Sequence, residues 1–523
     1  MDFNFSQVNI TGGFWKAMQD KNMNTTINAV YDRFYDTGRI EAMKCNWKEG
    51  MDKKPHFFWD SDVAKWIEGA AYILAKHEDK ELETKVEEII DSIEENQGED
   101  GYYNVYFTVV EPENRFTNRD YHELYCAGHL MEAAVAYYYA TGKDRFLKIM
   151  EKYTDYIYKV FAEEKSAAFT TPGHEEIEIA LIRMYKCTGK QKYLELCKFF
   201  INSRGVADAE KFKVKYCQSD IPLREMKEAE GHAVRALYLY TSMAALAKET
   251  NDNELLASCR RLFEDITTGK MYITGGTGST YIGEAFTVPY NLPSEQAYAE
   301  TCAGIALMFF AQKMLEMENK GVYADTVERA MYNGIISGLS LDGKAFFYEN
   351  PLEITLRNHT KHTSTQTKER YPITQRVEVF DCSCCPPNIN RVLSSMEKYI
   401  YHTSDNIYYV DQYMESSFEE NGVKIKQTTQ YPKDGSRKLE FSGVDKAAVR
   451  IPYWCDNFKI NAKYELKDGY AYITNPKNIE IKFEMIPALY MAHQEVNDCA
   501  NITYSNIYVA LCNKYFSFFV YLI

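Results

Sequence analysis

The sequence predicts a mostly α-helical fold, an (α/α)6 toroid or barrel carrying the catalytic site, followed by an all-β sandwich domain. Three observations predict it. Helical hairpins recur along the first four hundred residues, each entered through small residues and followed by an apolar helix. The inner-helix starts carry His, Glu and Cys, polar groups that favour closure because a closed ring brings them to one mouth. After about residue 405 the apolar period changes to two, the signature of half-buried strands.

Residues 1–15 are expected as an N-terminal extension packing on the β domain, 16–404 as the barrel, 405–498 as the β-sandwich and 499–523 as an atypical tail. The first hairpin begins at Asp60-Ser61-Asp62, runs through Trp66, Ala70 and Ile73, and ends its second helix near Asn96-Gln97-Gly98. Four later entries follow: Cys126-Ala127-Gly128-His129, Thr171-Pro172-Gly173-His174, Ala229-Glu230-Gly231-His232 and Cys302-Ala303-Gly304-Ile305. Gly142 and Gly189 suit the position just past a helix where the chain turns left-handed. In the β region, Asn421-Gly422 and Asp468-Gly469 separate alternating runs as hairpin turns. The apolar stretch Tyr504 to Ile523 is interrupted by Asn506, Asn513 and Lys514, so a buried strand or a disordered end is expected rather than a membrane span.

The 523 residues are 46% hydrophobic and 26% charged, as in an ordinary soluble protein. A net charge of −15 argues against a nucleic-acid or anionic-membrane surface, which needs a basic footprint. The N-terminus lacks the basic and apolar regions of a secretory signal. Thirteen cysteines without small-domain spacing then read as reduced core residues or metal ligands, and the cytoplasm is the expected location.

The sharpest motif is the run from Asp381 to Asn388, with Cys382, Cys384 and Cys385 ahead of two prolines. Neighbouring cysteines strain a disulfide, so a thiolate cluster in a reducing compartment points to a soft metal, zinc above all. The alternative is a cysteine-rich core turn. Upstream, Glu300 and Cys302 stand two residues apart at a helix start and complete a Cys3Glu ligand set with Cys384 and Cys385. Glu284 stays free for acid/base work, although any single Glu is more often a solvated surface residue. The loop Gly275-Gly276-Thr277-Gly278 has no P-loop lysine after it and reads as a turn. His122, His129, His174 and His232 lie at comparable points of the repeat, where a toroid aims them at one cavity; singly, each is more often a cap or a satisfied core group. Forty-two tyrosines fit a carbohydrate site, though many are core residues.

The strings HELYCAGHLMEAAVA, GSTYIGEAFTVPYNLP, YAETCA and CSCCPPN resemble glycoside hydrolase family 127, the bacterial β-L-arabinofuranosidases, over residues 5–498. The resemblance implies an (α/α)6 barrel with β-sandwich domains. It implies zinc on Glu300, Cys302, Cys384 and Cys385, Cys384 as nucleophile and Glu284 as acid/base. Sugar contacts fall on His122, His174 and His232, with Tyr348 as a further addition; Cys382 receives no role. The expected substrate is an arabinofuranoside or small oligosaccharide, cleaved with retention; no nucleic acid or membrane partner is expected, and a homodimer is compatible. From about Cys499 the chain departs from the family pattern and reads as a truncated or out-of-frame ending. Two other classes compete: an (α/α) sugar epimerase or unsaturated-uronyl hydrolase, and a carbohydrate-binding protein with structural zinc.

Overall fold

The structure is a computed structural model that describes residues 7–206, 214–354, 373–379, 381–486, 490–491, 493, 495 and 507–508. Its helices alternate between two layers. The inner layer comprises α3 (Trp59–Leu74), α5 (Glu123–Thr141), α7 (Ile177–Thr188), α9 (Ala233–Thr250), α11 (Thr301–Glu318) and α13 (Cys385–Leu393). The outer layer holds α1 (Gly13–Lys21) and α2 (Ile27–Asp36), joined by the helical turn Asn22–Thr26, then α4 (Lys80–Asn96), α6 (Arg145–Tyr158), α8 (Gln191–Ser203), α10 (Asn253–Asp265) and α12 (Gly321–Ala330). Each inner helix packs on the next, and α13 packs back on α3, so the ring closes. The expected (α/α)6 barrel is therefore present.

Composition explains the layering. Every residue from Trp59 to Ile73, from Glu123 to Tyr137 and from Ala233 to Ala247 is buried, because inner helices meet protein on all sides. Outer helices bury a single stripe: α4 covers Leu82, Val86, Ile89, Ile90 and Ile93, at helical spacing, and leaves its charges in water. Small residues bring the inner helices close. A Cβ on Gly128 would lie 2.8 Å from the Ile177 nitrogen, so only glycine lets α5 approach α7 this closely. Four of the six inner helices end in left-handed residues, Gly142 and Gly189 as expected, and Asn251 and Asn319 in the same role.

The β region starts earlier than the expected residue 405, with β2 (Tyr401–Ser404) following the barrel directly. It pairs with β3 (Ile407–Val410) through a turn at Asp405-Asn406, both in left-handed conformation. Two sheets form. One runs β1-β4-β5-β6-β11-β8, where β1 is Val8–Ile10, β4 Ser416–Glu420, β5 Val423–Thr429, β6 Ser436–Ser442, β8 Phe458–Ile460 and β11 Asn478–Phe483. The other runs β2-β3-β7-β10-β9, where β7 is Lys446–Arg450, β9 Glu465–Lys467 and β10 Tyr470–Thr474. The N-terminal strand thus joins the β region, with Val8 opposite Phe418 and Ile10 opposite Ser416. Buried Arg450 ties the sheet to the barrel, 2.5 Å from Asp325 Oδ1 on α12 and paired also with Glu328. Of the tail only Ile507 and Tyr508 are described, pairing with Met491 and Tyr490; the expectation for 499–523 otherwise lies outside the described residues. No helix among the described residues is long and apolar enough to cross a membrane.

Candidate active site

All six inner helices point their N-termini to the same end of the barrel; three predicted histidines, Glu300 and the cluster cysteines stand at those N-termini, whereas Glu284 and Tyr348 come from connecting segments. His122 and His232 immediately precede α5 and α9, and His174 lies three residues before α7. Glu300 and Cys302 flank the first residue of α11, while Cys384 and Cys385 begin α13. Pro386 and Pro387 fit the first turn of α13, where a missing N–H costs nothing. Unpaired N–H groups at these ends favour negative charge on the thiols and carboxylates they face.

The ligand-type atoms of Glu300, Cys302, Cys384 and Cys385 lie within 4.8 Å of one another. Cys302 Sγ is 3.5 Å from Cys384 Sγ and 3.3 Å from Cys385 Sγ, and the latter two are 3.8 Å apart. Glu300 Oε1 accepts from Cys384 and Cys385 at 3.5 and 3.6 Å. Its other oxygen is buried with no hydrogen-bond partner among the described residues. Burial, reinforced by the Cys384 charge, pushes the Glu300 carboxyl well above its usual range. Tyr348 OH lies 3.5 Å from Cys384 Sγ and 3.8 Å from Cys382 Sγ, so Cys382 adjoins the cluster without joining it.

Glu284 sits across from this cluster at the end of the short turn Ile282–Glu284, itself in a left-handed conformation at φ 53°. Its Oε2 is 2.7 Å from His232 Nε2, and Tyr298 OH donates to its Oε1 at 2.8 Å. Burial works to raise Glu284, but the hydrogen bonds from His232 and Tyr298 and the charge of Arg235 outweigh it and hold the carboxyl below its usual value. The His232 tautomer follows from its other nitrogen. Nδ1 accepts from the Val234 and Arg235 N–H groups at 3.1 and 3.3 Å, so Nε2 carries the proton and donates to Glu284.

His122, His174 and His232 form an arc, with ring centroids 5.4 and 5.6 Å apart in turn. Burial first, and Arg235 next for His122 and His174, keeps these two imidazoles neutral by lowering them well below their usual value. Their Nδ1 atoms bond the Asp120 and Glu175 carbonyl oxygens at 2.8 and 3.0 Å, so each ring presents Nε2 as an acceptor. His129, expected to share this mouth, lies elsewhere. Seven residues further along α5 it is two turns deeper in the barrel, 3.1 Å from Glu176. There it belongs to a buried floor in which Arg391 bonds Glu68 and Glu132 at 2.7 and 2.9 Å, and Arg183 bonds the same two at 2.7 and 2.5 Å.

Sequence reasoning missed Tyr298, Tyr125 and Lys65. Tyr298 was quoted only as the first letter of a motif, yet it holds Glu284. Buried Lys65 donates to Tyr125 OH at 2.8 Å, and the Tyr125 ring packs 4.1 Å from His174. Ala299 between Tyr298 and Glu300 is left-handed at φ 40°, so no strand-like alternation in the sequence marks Tyr298 as part of the site.

Comparisons with known proteins identify the family. The family description β-L-arabinofuranosidase, GH127 catalytic domain, matches residues 7–398, and the GH127 middle domain matches residues 407–485. A non-reducing end β-L-arabinofuranosidase of Bifidobacterium longum subsp. longum is 36% identical over 458 residues, covering 80% of this chain and 68% of the relative. The crystal structure of a GH127 β-L-arabinofuranosidase from Geobacillus stearothermophilus T6 superposes with TM-score 0.88 at 41% identity, covering 94% of this chain and 84% of that one. A second solved structure, the GH127 β-arabinofuranosidase BT3674, gives 0.85 at 31% identity, covering 94% and 82%.

Proposed function

The chain belongs to glycoside hydrolase family 127 and is a glycoside hydrolase; from that premise we propose that it releases L-arabinose from β-L-arabinofuranosides with retention, through a covalent intermediate on Cys384. The observation that carries this reading is a thiol cluster facing a separately held carboxylate. Cys384 stands in the cluster, and Glu284, hydrogen-bonded by His232 and Tyr298, stands outside it.

The residues present fit a zinc ion. Tetrahedral zinc with Zn–S bonds of ~2.3 Å spaces its sulfurs about 3.8 Å apart. The three thiols here are 3.3 to 3.8 Å apart, and Glu300 lies 3.5 to 3.6 Å from two of them. Glu300, Cys302, Cys384 and Cys385 would hold the ion, and its positive charge would keep Cys384 a thiolate at neutral pH. The orphaned buried oxygen of Glu300 supports the same view.

In the first step Cys384 Sγ bonds to the anomeric carbon as the bond to the leaving oxygen breaks, and Glu284 gives that oxygen its proton. In the second, Glu284 takes a proton from water, the water oxygen bonds to the anomeric carbon and Cys384 leaves as thiolate. The free site favours the ionised Glu284 that the second step needs. For the first, the entering substrate must displace one of the two hydrogen bonds that depress it. His122 and His174, neutral with Nε2 exposed to the cavity, accept from sugar hydroxyls. Glu300 is the rival nucleophile, since paired carboxylates are the usual retaining arrangement. Its Oε1 lies 3.5 and 3.6 Å from Cys384 and Cys385 Sγ, inside the ligand set, where holding the ion would take up its charge.

The test is a nitrophenyl β-L-arabinofuranoside followed by proton NMR. The β anomer of free arabinose is expected first, with the α anomer growing by mutarotation; α-arabinose as first product contradicts the reading.

A further inference from the structure

The barrel is closed below the site, and this fixes which way a substrate extends. Beneath the histidine arc, Lys65, Tyr125, His129, Glu132, Glu176 and Arg391 are all buried, so among the described residues that end is filled. A sugar whose anomeric carbon meets Cys384 therefore sits at a dead end, and its leaving group must project outward past Glu284.

What stands there is apolar and aromatic. Ile282, two residues before Glu284, is 70% exposed, Tyr281 is 38% exposed and Tyr216 is 37% exposed. Tyr216 belongs to the short turn Lys215–Cys217 yet is fixed to the catalytic groups. Its carbonyl oxygen accepts the His232 N–H at 3.0 Å, and its ring meets the His232 ring edge-on at 5.7 Å. Buried Arg235 lies over that ring at 4.7 Å and donates to the Gly173 carbonyl, which anchors it. Gly283, in left-handed conformation at φ 69°, passes directly beside the Tyr216 ring; a Cβ there would be 3.4 Å from its atoms. The tyrosine and the acid/base turn thus form one surface on the outward side of Glu284.

Scattered exposed apolar residues are ordinary. Three on one surface, two of them rings and one held rigidly against His232, form a recognition face of the kind that positions a ring-bearing ligand. We propose that Tyr216, Tyr281 and Ile282 form the leaving-group subsite, packing on the C–H face of a second sugar ring. The enzyme is then selective for di- and oligosaccharides over arabinofuranosides of small alcohols. This rests on Glu284 being the acid/base, because that assignment places the leaving group on this side.

The experiment compares kcat/KM for a β-linked arabinofuranosyl-arabinose disaccharide and for methyl β-L-arabinofuranoside. For the parent enzyme the ratio favours the disaccharide. Tyr216→Ala lowers that ratio roughly fivefold or more, the size of one aromatic contact, mainly through KM; Tyr216→Phe keeps it. Ile282→Ser, on an exposed position that folding does not depend on, lowers it in the same direction. A ratio unchanged in both Tyr216→Ala and Ile282→Ser overturns the subsite while leaving the hydrolase reading intact. No turnover of either glycoside by the parent enzyme removes the hydrolase reading and the subsite together.

Discussion

His232 does two jobs through its two nitrogens, and the division is set by backbone geometry. Nδ1 caps α9 by accepting from Val234 and Arg235, which leaves Nε2–H for Glu284. Replacing His232 by Ala should cost about 1 kcal/mol of stability from the lost cap. It should also raise the apparent pKa of Glu284 by removing the first-named of its stabilising hydrogen bonds. The kcat/KM profile checks this: the pH above which Glu284 is deprotonated, and activity as an acid falls, should move upward relative to the parent enzyme. A second expectation concerns Glu284 itself. Glu284→Gln should keep its zinc content yet lose 10²-fold or more on alkyl glycosides, the scale of general acid catalysis, and much less on a dinitrophenyl glycoside that needs no proton. Equal losses on both contradict the assignment. At this scale the sequence was readable where residue type is distinctive. Three cysteines in four positions and Glu300 two residues from Cys302 marked the place where Glu300, Cys302, Cys384 and Cys385 come together. Tyr298 and Lys65 were not readable, because a tyrosine among forty-two and a lysine among many acquire meaning only from a three-dimensional neighbour.

Helices carry the next level. Gly142 and Gly189 declared two inner-helix ends, whereas Asn251 and Asn319 do the same work with a residue that is common in loops and so gave no comparable signal. The start of β2 was missed because Tyr401–Ser404 follows a helical turn without glycine or proline to mark the change. The floor was also illegible: Glu68, Glu132, Arg183 and Arg391 come from four helices, and on sequence alone each reads as a surface charge. Burial alone would raise Glu68, but Arg391, Arg183 and Lys398 outweigh it and hold it well below the usual carboxylate range. A carboxylate depressed on folding stabilises above its unfolded pKa of ~4.3, and that contribution is lost as pH falls below this value. Arg391→Met should therefore destabilise by about 3–5 kcal/mol at pH 7, since it strands buried carboxylates. The penalty should shrink below pH ~4.3 as the parent loses its advantage. Urea denaturation at both pH values checks it; an equal penalty at each would show that Arg391 acts by packing.

Over the whole molecule, ring closure and chemistry meet at one seam. α11 and α13 meet at their starts in the cluster of Glu300, Cys302, Cys384 and Cys385, so a zinc ion held there would tie together segments more than eighty residues apart in sequence. A ligand that binds only the folded state stabilises by about 4 kcal/mol at a thousand times its Kd. Chelation should then lower the melting temperature of the parent enzyme, with zinc restoring it, and should leave a Cys384→Ser/Cys385→Ser variant unmoved. The fold class was legible because a helical repeat and a change of period are properties of long stretches, insensitive to any one residue. The order of strands within the sheets was not, since pairings such as β3 with β7 join segments whose partnership no local pattern specifies. The proposal puts the attack on the sugar on Cys384, the cluster thiol that is partly exposed while Cys302 and Cys385 are buried, and this is the claim on which the account stands. The direct measurement is covalent trapping with an arabinofuranose-configured haloacetamide or cyclophellitol probe, followed by peptide mapping. The account predicts one label per chain, on the Cys384 side chain; a label on Glu300 or Glu284 would contradict it.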